Sequence, residues 1–211
     1  AHSTSSSYTL TFPGTDPSAD KFLKTDGSGN LSFADAGGGA FTHLLTTTAS
    51  DSASVAFNST YITTTYLDYQ IIFSGIKASA DAKYPILYFS TDNGSSYLSS
   101  YQDIRQSRKS DGNQINSNSN STSSMGIIGS YSLGDADGEI FNAKITIFDP
   151  LKQSGTTDAR TMYVGEIGYV GSDGNLAVSI SAGMSAVDTA INNIKFQMNS
   201  GNIESGKISL Y

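Results

Sequence analysis

The sequence predicts an all-β protein, and three observations support that prediction. The chain contains 12 Tyr and 10 Phe, enough aromatic residues to build a core, and aromatic and β-branched residues are enriched in strands. Its 21 Gly supply many turns. Apolar and polar residues also alternate with a period of two in one segment after another, with turn residues between the segments. Repeated alternation of this kind indicates a sandwich or a barrel of short strands.

Residues 1–40 form the first predicted part, a short arm. The segment SSSYTLTF alternates polar and apolar residues, which predicts a half-buried strand. Two further segments, KFLKT and NLSF, flank Asp-Gly-Ser-Gly-Asn at 26–30, and this arrangement predicts a hairpin with positive φ angles at its tip. Three glycines at 37–39 predict a flexible joint. Because an isolated hairpin is marginally stable in water, we expect the arm to fold against a partner or to remain mobile.

Residues 41–211 form the second predicted part, the sandwich domain. The segment 86–89 is apolar on both faces, so we expect it to be a central strand. The other strands predicted from alternation lie at 67–73, 141–147, 167–169, 176–180, 194–198 and 208–210.

Two segments of this domain do not fit a simple strand pattern. Val187, Ile191 and Ile194 have helical spacing, so a helical turn competes with a strand there, although the β-rich tail that follows favours the strand. The segment 107–124 consists almost entirely of Ser, Asn, Asp, Gly and Thr, which predicts a long exposed loop rather than a core strand.

The charge and composition exclude several classes of partner. The net charge of −7 and the pI near 4.6 argue against nucleic acid, because affinity there depends on clustered Lys and Arg. One short basic cluster, Arg105-Gln-Ser-Arg108-Lys109, lies between Asp103 and Asp111, and we interpret it as a solvated loop. No apolar run approaches the about 18 residues of a membrane span. The chain has no Cys, so it has no disulfide framework.

Catalytic groups are sparse, and the sequence predicts that the protein is not an enzyme. A Ser-His-Asp arrangement would have to use His43, and no G-x-S-x-G motif accompanies it. The only glutamates are Glu139, Glu166 and Glu204, and no spacing selects a glycosidase pair from these and the aspartates. The sequence also lacks a P-loop and a G-x-G-x-x-G motif, so we expect no cofactor.

Aspartate-glycine turns recur along the chain and resemble calcium loops, since hard cations take carboxylate and carbonyl oxygens. The best example is DADGE, with Asp135, Asp137 and Glu139. It lacks the full EF-hand pattern, and ordinary β-turns have the same composition. We therefore expect no metal, with these three residues as a weak candidate site.

Sugar binding is a further possibility for an acidic β-sandwich. Tyr97, Tyr101 and Gln102 lie next to the polar segment and could supply an aromatic platform and a hydrogen-bonding amide for a glycan. The chain has no Trp, which weakens this hypothesis. Tyrosines in strands more often serve packing or interfaces.

Two stretches resemble bacteriophage appendage proteins. The first, YTLTFPGTDPSADKFLKTDGSGNLSFADAG at 8–37, is similar to a segment Y-T-L-x-x-P-x-x-x-G-x-x-x-x-x-L-x-T-D-G-x-G-x-L-x-W of tail-fibre and other appendage proteins, those of marine phages especially. Leu23, Gly29 and Leu31 match it, whereas Phe33 stands where Trp is usual. The second combines YLDYQIIFSGIKASADAKYPILYFSTDNGSSYLSSY with the C-terminal INNIKFQMNSGNIESGKISLY, and it is similar to the sandwich domain that often follows that segment.

The resemblance implies a jelly-roll-like antiparallel β-sandwich preceded by a short extended β-hairpin arm. It implies a non-enzymatic structural protein on the exterior of the virion, either a tail or capsid fibre or a head-decoration protein. The arm would dock on other virion proteins or hold a homotrimer together, and the sandwich would contact host-surface glycans or cover the particle. The arm residues expected to make these contacts are Tyr8, Leu10, Phe12, Leu23, Leu31 and Phe33. The alternative function is a free carbohydrate-binding module, calcium-dependent or not.

Overall fold

The structure is a computed structural model, and it describes residues 9–15, 21–34, 41–129, 131–155 and 160–211. Its described residues contain strands, turns and bends but no helix, so the predicted all-β fold is confirmed. No helix with the length and hydrophobicity of a membrane span occurs in this part of the chain. The chain divides into two compact units, Ala1–Thr42 and His43–Tyr211.

The first unit contains the predicted hairpin. Strands β1 (Phe22–Thr25) and β2 (Leu31–Ala34) pair antiparallel, with Leu23 opposite Phe33. Residue Thr11 runs parallel to the start of β2, because its N–H donates to the carbonyl of Gly29 and its carbonyl accepts from Leu31. The predicted glycine joint at 37–39 lies outside the described residues.

The described residues of the second unit form twelve strands in two antiparallel sheets that pack as a sandwich-like arrangement. In chain order the strands are β3 (Leu45–Ser52), β4 (Val55–Phe57), β5 (Tyr69–Ala78), β6 (Pro85–Ser90), β7 (Tyr101–Lys109), β8 (Gln114–Thr122), β9 (Met125–Gly126), β10 (Phe141–Phe148), β11 (Met162–Val170), β12 (Leu176–Ser185), β13 (Asn193–Met198) and β14 (Ile203–Leu210). The larger sheet has the order β3-β14-β5-β10-β11-β12-β7-β8, and the smaller has the order β4-β13-β6-β9. Jelly-roll connectivity between the strands stays a prediction.

Aromatic side chains from both sheets meet in the core. The ring of Phe196 on β13 lies 4.6 Å from that of Phe73 on β5 and 6.3 Å from that of Phe141 on β10, measured between centroids. Strand β6 is buried on both faces in the interior of the smaller sheet, as its apolar sequence predicts. Since the chain has no disulfide, this burial and the strand pairing hold the unit together.

The prediction of a long loop at 107–124 is wrong. The chain continues β7 to Lys109, turns, and returns as β8, which pairs with β7 from Arg108 opposite Gln114 onwards. Strand β8 is an edge of the larger sheet, so its backbone bonds one neighbour and its side chains need not fill a core. The helical alternative near Val187 is also not adopted, since 186–192 consists of bends and irregular residues and β13 follows.

Strand β12 has a reversed pattern of side chains. Its buried residues are all small. Its outward residues, on the outside of the larger sheet, are all apolar. The buried set is Ala177, Ser179, Ser181, Gly183 and Ser185, and the outward set is Leu176, Val178, Ile180, Ala182 and Met184. Sequence alternation identified the strand correctly, but it could not show that the larger side chains face away from the core.

Candidate functional site

The apolar side chains of the arm unit are largely exposed. Phe12 is 66% exposed and Phe22, which sequence analysis did not single out, is 65% exposed. Leu10 and Leu23 are also exposed, whereas Leu31 and Phe33 on β2 are half-buried. Tyr8 lies outside the described residues. The described part of this small unit therefore leaves four large apolar side chains, Leu10, Phe12, Phe22 and Leu23, in contact with water.

The tip of the hairpin is organised by one carboxylate. Asp26 accepts hydrogen bonds from the N–H of Ser28 at 2.7 Å and from the side-chain amide of Asn30 at 2.7 Å. These bonds lower the pKa of Asp26, with the Asn30 side chain as the main cause. Gly27 and Gly29 have φ angles of 81° and 95°, as the predicted tight turn requires. The loop thus has a definite shape that fixes the register of β1 and β2.

The three residues predicted to contact a glycan do not form one surface. Tyr101 is 0% exposed, and its hydroxyl accepts the N–H of Phe89 at 2.9 Å. Burial raises the pKa of this phenol to about 12. Tyr101 is therefore a core residue and offers no surface to a sugar. Gln102 points to the opposite face of β7, because successive strand residues alternate.

Tyr97 is partly covered by a cation. The ammonium of Lys195 lies 3.8 Å from the centroid of the Tyr97 ring and 4.6 Å from that of Tyr88. This is a cation–π arrangement, in which the ammonium occupies the ring face that a sugar would use for stacking. The Tyr97 hydroxyl also donates to Asn193 at 3.3 Å. Its contacts in the structure are those of a packing residue.

The acidic segment 135–139 forms a different cluster from the one predicted. Asp135 and Glu139 come together with Asp81, and one carboxylate oxygen from each lies within 4.8 Å of the others. Asp137 instead lies 3.6 Å from the ammonium of Lys77. Asp81 sits on the connection from β5 to β6, so no sequence spacing could have linked it to this segment. Carboxylates of this type can bind calcium, but exposed acidic clusters are common without an ion.

The residues considered for catalysis lie in separate places. His43 hydrogen-bonds the hydroxyl of Thr46 at 2.8 Å. Glu166 pairs with Lys144 at 2.8 Å, and Glu204 pairs with Lys77 at 3.2 Å. His43 precedes β3, and the two ion pairs join different pairs of strands of the larger sheet.

A buried ion pair at Asp103 and Arg105 was missed by sequence analysis. Oδ1 of Asp103 and Nε of Arg105 are 3.0 Å apart, in an ion pair without the geometry of a linear hydrogen bond. Oδ2 of Asp103 accepts the N–H of Gly126, and the guanidinium donates to the carbonyl of Ile128. Burial is the main influence on Asp103 and raises its pKa, against the lowering effect of Arg105. These contacts tie β7 to the segment that follows β8.

The predicted solvated basic cluster is therefore divided among different environments. Arg105 belongs to the buried pair, whereas Arg108 is exposed on the outer face of β7. Lys109 forms ion pairs with Asp111 and Asp173, and its ammonium lies 4.7 Å from the centroid of the Tyr131 ring. Only Arg108 of these three retains the exposed character that the sequence indicated.

Among the described residues of the sandwich unit, several large exposed apolar side chains lie together on the outside of the larger sheet. Ile180 is 64% exposed and Ile104 is 62% exposed, and both lie in the middle of their strands. We call this surface the β12 face and define it by nine outward apolar residues: Ile104, Phe148, Met162, Val164, Leu176, Val178, Ile180, Ala182 and Met184. Contiguous exposed apolar surfaces of this kind commonly mark interaction sites.

Strand pairing makes the β12 face continuous. Ala182 lies between Val164 on β11 and Ile104 on β7, and Met162 lies between Met184 and Phe148. Neighbouring strands are about 4.8 Å apart, so these side chains are adjacent.

Comparison with known proteins gives no identification: no protein-family model, curated protein or solved structure matches the chain. The resemblance to phage appendage proteins therefore stays a prediction drawn from the sequence.

Proposed function

We propose that this chain is a non-enzymatic structural protein of a bacteriophage virion. In this proposal it is a fibre or decoration subunit on the exterior of the particle, fastened by its N-terminal arm. Its β-sandwich is displayed outward, where it contacts host-surface glycans or covers the particle. The support comes from the sequence resemblance and from the structure of the arm unit.

The exposed side chains of the arm are the observation that carries the proposal. Burial of a Leu or Phe side chain stabilises a protein by about 1.5–3 kcal/mol. Leu10, Phe12, Phe22 and Leu23 forgo most of this stabilisation while they face water. A two-stranded sheet is marginal alone, so a unit built like this gains its stability from a partner. An attachment segment has this property.

Assembly into many copies fits the same proposal. A homotrimer held by the arms, or an array of subunits on a capsid or tail, would cover the apolar side chains of each arm. Many weakly binding sandwiches on one particle would then bind a host surface tightly through multivalency.

Removal of the apolar contacts of the arm tests the proposal. We expect the double variant Phe22→Asp and Leu23→Asp to be lost from particles, because two charges would replace apolar side chains at the attachment surface. Particles purified from cells infected with phage that encodes each version would be analysed for the protein by quantitative mass spectrometry. Leu67→Asp is the matched control, since Leu67 is also an exposed apolar residue but belongs to the sandwich unit.

Two results would contradict the proposal. Absence of the wild-type protein from purified particles would exclude a virion role. Equal amounts of the double variant and the wild-type protein in particles would exclude attachment by the arm. A normal level of the Leu67→Asp protein is needed to show that the loss is specific.

The rival function, a free carbohydrate-binding module, has less support in the structure. Tyr101 is buried, and one face of Tyr97 is occupied by Lys195. Tyr101 therefore offers no platform for a sugar, and Tyr97 offers only the ring face that Lys195 does not cover.

A further inference from the structure

We infer that the β12 face is a self-association interface, at which two copies of this chain pack with the same face toward each other. The inference is independent of the proposed function, because the β12 face belongs to the sandwich unit and the proposed attachment surface belongs to the arm. The occupant of the face is a second copy rather than an unrelated protein, as the size, charge and arrangement of its residues indicate.

The composition of β12 shows that its outward apolar residues are not needed for the core of one copy. Tyr163 and Tyr101, on the two flanking strands, fill the interior beside β12. Small residues are sufficient on the inner side of the strand, and polar residues would ordinarily be found on the outer side. Five apolar residues in succession on that outer side form the kind of patch that marks an interaction site.

The size of the β12 face suits a protein partner. The four strands that carry the face, β10, β11, β12 and β7, have 8, 9, 10 and 9 residues and are neighbours in the sheet. With about 4.8 Å between strands and about 3.3 Å per residue, four such strands cover about 19 Å by about 30 Å. That flat area is roughly 570 Å², and the accessible area of its side chains is larger. A standard interface buries about 800 Å² on each partner.

The charge of the β12 face favours a second copy. Each chain carries a net charge of −7, so two copies repel each other over most of their surfaces. On the outer side of β10, β11, β12 and β7, however, the charged residues are Lys144, Glu166 and Arg108. Glu166 is paired with Lys144 at 2.8 Å. This face is thus free of the acidic excess that keeps identical chains apart elsewhere.

The arrangement of residues on both sides of β12 is self-complementary. A two-fold axis along β12 sets β11 of one copy against β7 of the other, because these strands flank β12. Val164 and Ile104 are level with each other across Ala182, so they meet between the copies. Glu166 of one copy faces Gln106 of the second copy. Arg108 of the second copy is the next outward residue along β7. In a two-fold interface each such contact occurs twice.

Measurement of the mass of the full chain in solution tests this interface. We expect the wild-type protein and Thr48→Asp to associate equally, since Thr48 is an exposed residue on β3, at the far edge of the same sheet. We expect Ile180→Asp to weaken association by about a hundredfold or more, because it would bury an unpaired carboxylate. Sedimentation velocity over a concentration series gives the dissociation constants, and circular dichroism checks that each variant is folded.

The arm variant Phe22→Asp and Leu23→Asp separates this inference from the proposed function. If its association equals that of the wild-type protein while Ile180→Asp is monomeric, the β12 face is the interface. If the wild-type protein is monomeric at its highest soluble concentration, the inference is wrong. It is also wrong if Ile180→Asp associates as tightly as wild type, or if association depends on the arm alone.

Cross-linking provides a second test that does not depend on weakening the interface. The chain has no cysteine, so Ile180→Cys and Thr48→Cys each introduce a single thiol. Ile180 lies on the predicted two-fold axis, where the same residue of both copies comes close enough for a disulfide. We expect mild oxidation to give a covalent dimer of Ile180→Cys in high yield and little of Thr48→Cys. Equal yields from the two proteins would overturn the inference.

Discussion

Asp92 is a carboxylate that holds a turn of the sandwich in shape. It follows β6 and accepts the N–H of Ser96 at 2.9 Å and the hydroxyl of Ser96 at 2.6 Å. The hydroxyl of Ser90 donates to it at 2.7 Å. These bonds, the Ser96 hydroxyl first, lower the pKa of Asp92 from 3.8 to about 2. The hydrogen bonds to the ionised Asp92 carboxylate therefore stabilise the folded state relative to the unfolded state.

The direction of the pH effect follows from this shift. A carboxyl whose pKa is lower in the folded state contributes stability above its unfolded pKa and loses that contribution as the pH falls through the folded value. We expect Asp92→Asn to be less stable than wild type at pH 6, with the difference decreasing between about pH 4 and pH 2. Urea denaturation at several pH values would measure it.

A control variant, Asp188→Asn, shows whether the pH effect belongs to the turn at Asp92. Asp188→Asn removes one exposed carboxylate from a different loop. If the stability difference for Asp92→Asn stays constant down to pH 2, the hydrogen bonds do not act through the ionised carboxylate, and the explanation above is wrong.

Residue-scale features were predictable where they depend on near neighbours in sequence. The positive φ angles at the hairpin tip follow from Asp-Gly-Ser-Gly-Asn itself. Pairings between residues on different elements were not predictable, because their partners come together only in the fold. The approach of Asp81 to Asp135 and the contact of Lys195 with Tyr97 are examples.

At the scale of single elements, β12 shows how neighbours decide what a strand can contain. The Tyr163 ring on β11 occupies the space directly above Gly183 of β12, so that a Cβ atom on Gly183 would overlap the ring. Tyr163 cannot move away freely, since its hydroxyl donates to the carbonyl of Gly126 at 2.6 Å. The small inner residues of β12 are therefore fitted to large residues on adjacent strands.

A pair of glycine variants tests this fit. We expect Gly183→Ala to lower the free energy of unfolding by about 1–3 kcal/mol, because the added methyl group overpacks the interior against Tyr163. Gly168→Ala should change it by less than about 0.5 kcal/mol, since Gly168 is on the outward side of β11 with open space around it. Chemical denaturation of both variants measures the difference. Equal effects would show that the space above Gly183 does not limit its size.

Element-scale prediction failed where a strand does not need a hydrophobic side. Strand β8, with its Ser and Asn residues, has the composition of a loop. It forms because the turn after β7 returns the chain beside an existing strand, where backbone hydrogen bonds are available. A strand at the edge of a sheet needs a neighbour on one side only, so an apolar pattern is not required for β8 to form.

At the scale of the whole molecule, the sequence predicted an all-β domain with a hairpin before it. The strand order could not be predicted, because it depends on pairings between distant segments. The first and last strands of the sandwich unit, β3 and β14, are neighbours, for example, although more than a hundred residues separate them.

The net charge of the molecule predicts how salt affects self-association. Two chains of charge −7 repel at long range, and salt screens this repulsion because the Debye length falls from about 30 Å at 0.01 M to about 10 Å at 0.1 M. We therefore expect the dissociation constant of the wild-type copy–copy complex to decrease several-fold over this range. Sedimentation equilibrium at the two ionic strengths would measure it.

A dissociation constant that increases with added salt would contradict this prediction. If the complex weakens as salt is added, attraction between opposite charges rather than apolar contact holds the copies together. The nine apolar residues that define the β12 face would then not be what holds the two copies together.

The reversed pattern of β12 has a consequence for how the chain finds its strand register. In most strands a slip by one residue is opposed because it would expose the apolar side. In β12 the same slip would turn Val178 and Ile180 inward, so hydrophobicity alone would favour the misaligned state. Steric exclusion must oppose it, since the Tyr163 ring leaves room for a glycine and not for a larger residue. The correct register of β12 is thus selected by steric fit to Tyr163 rather than by the hydrophobic effect.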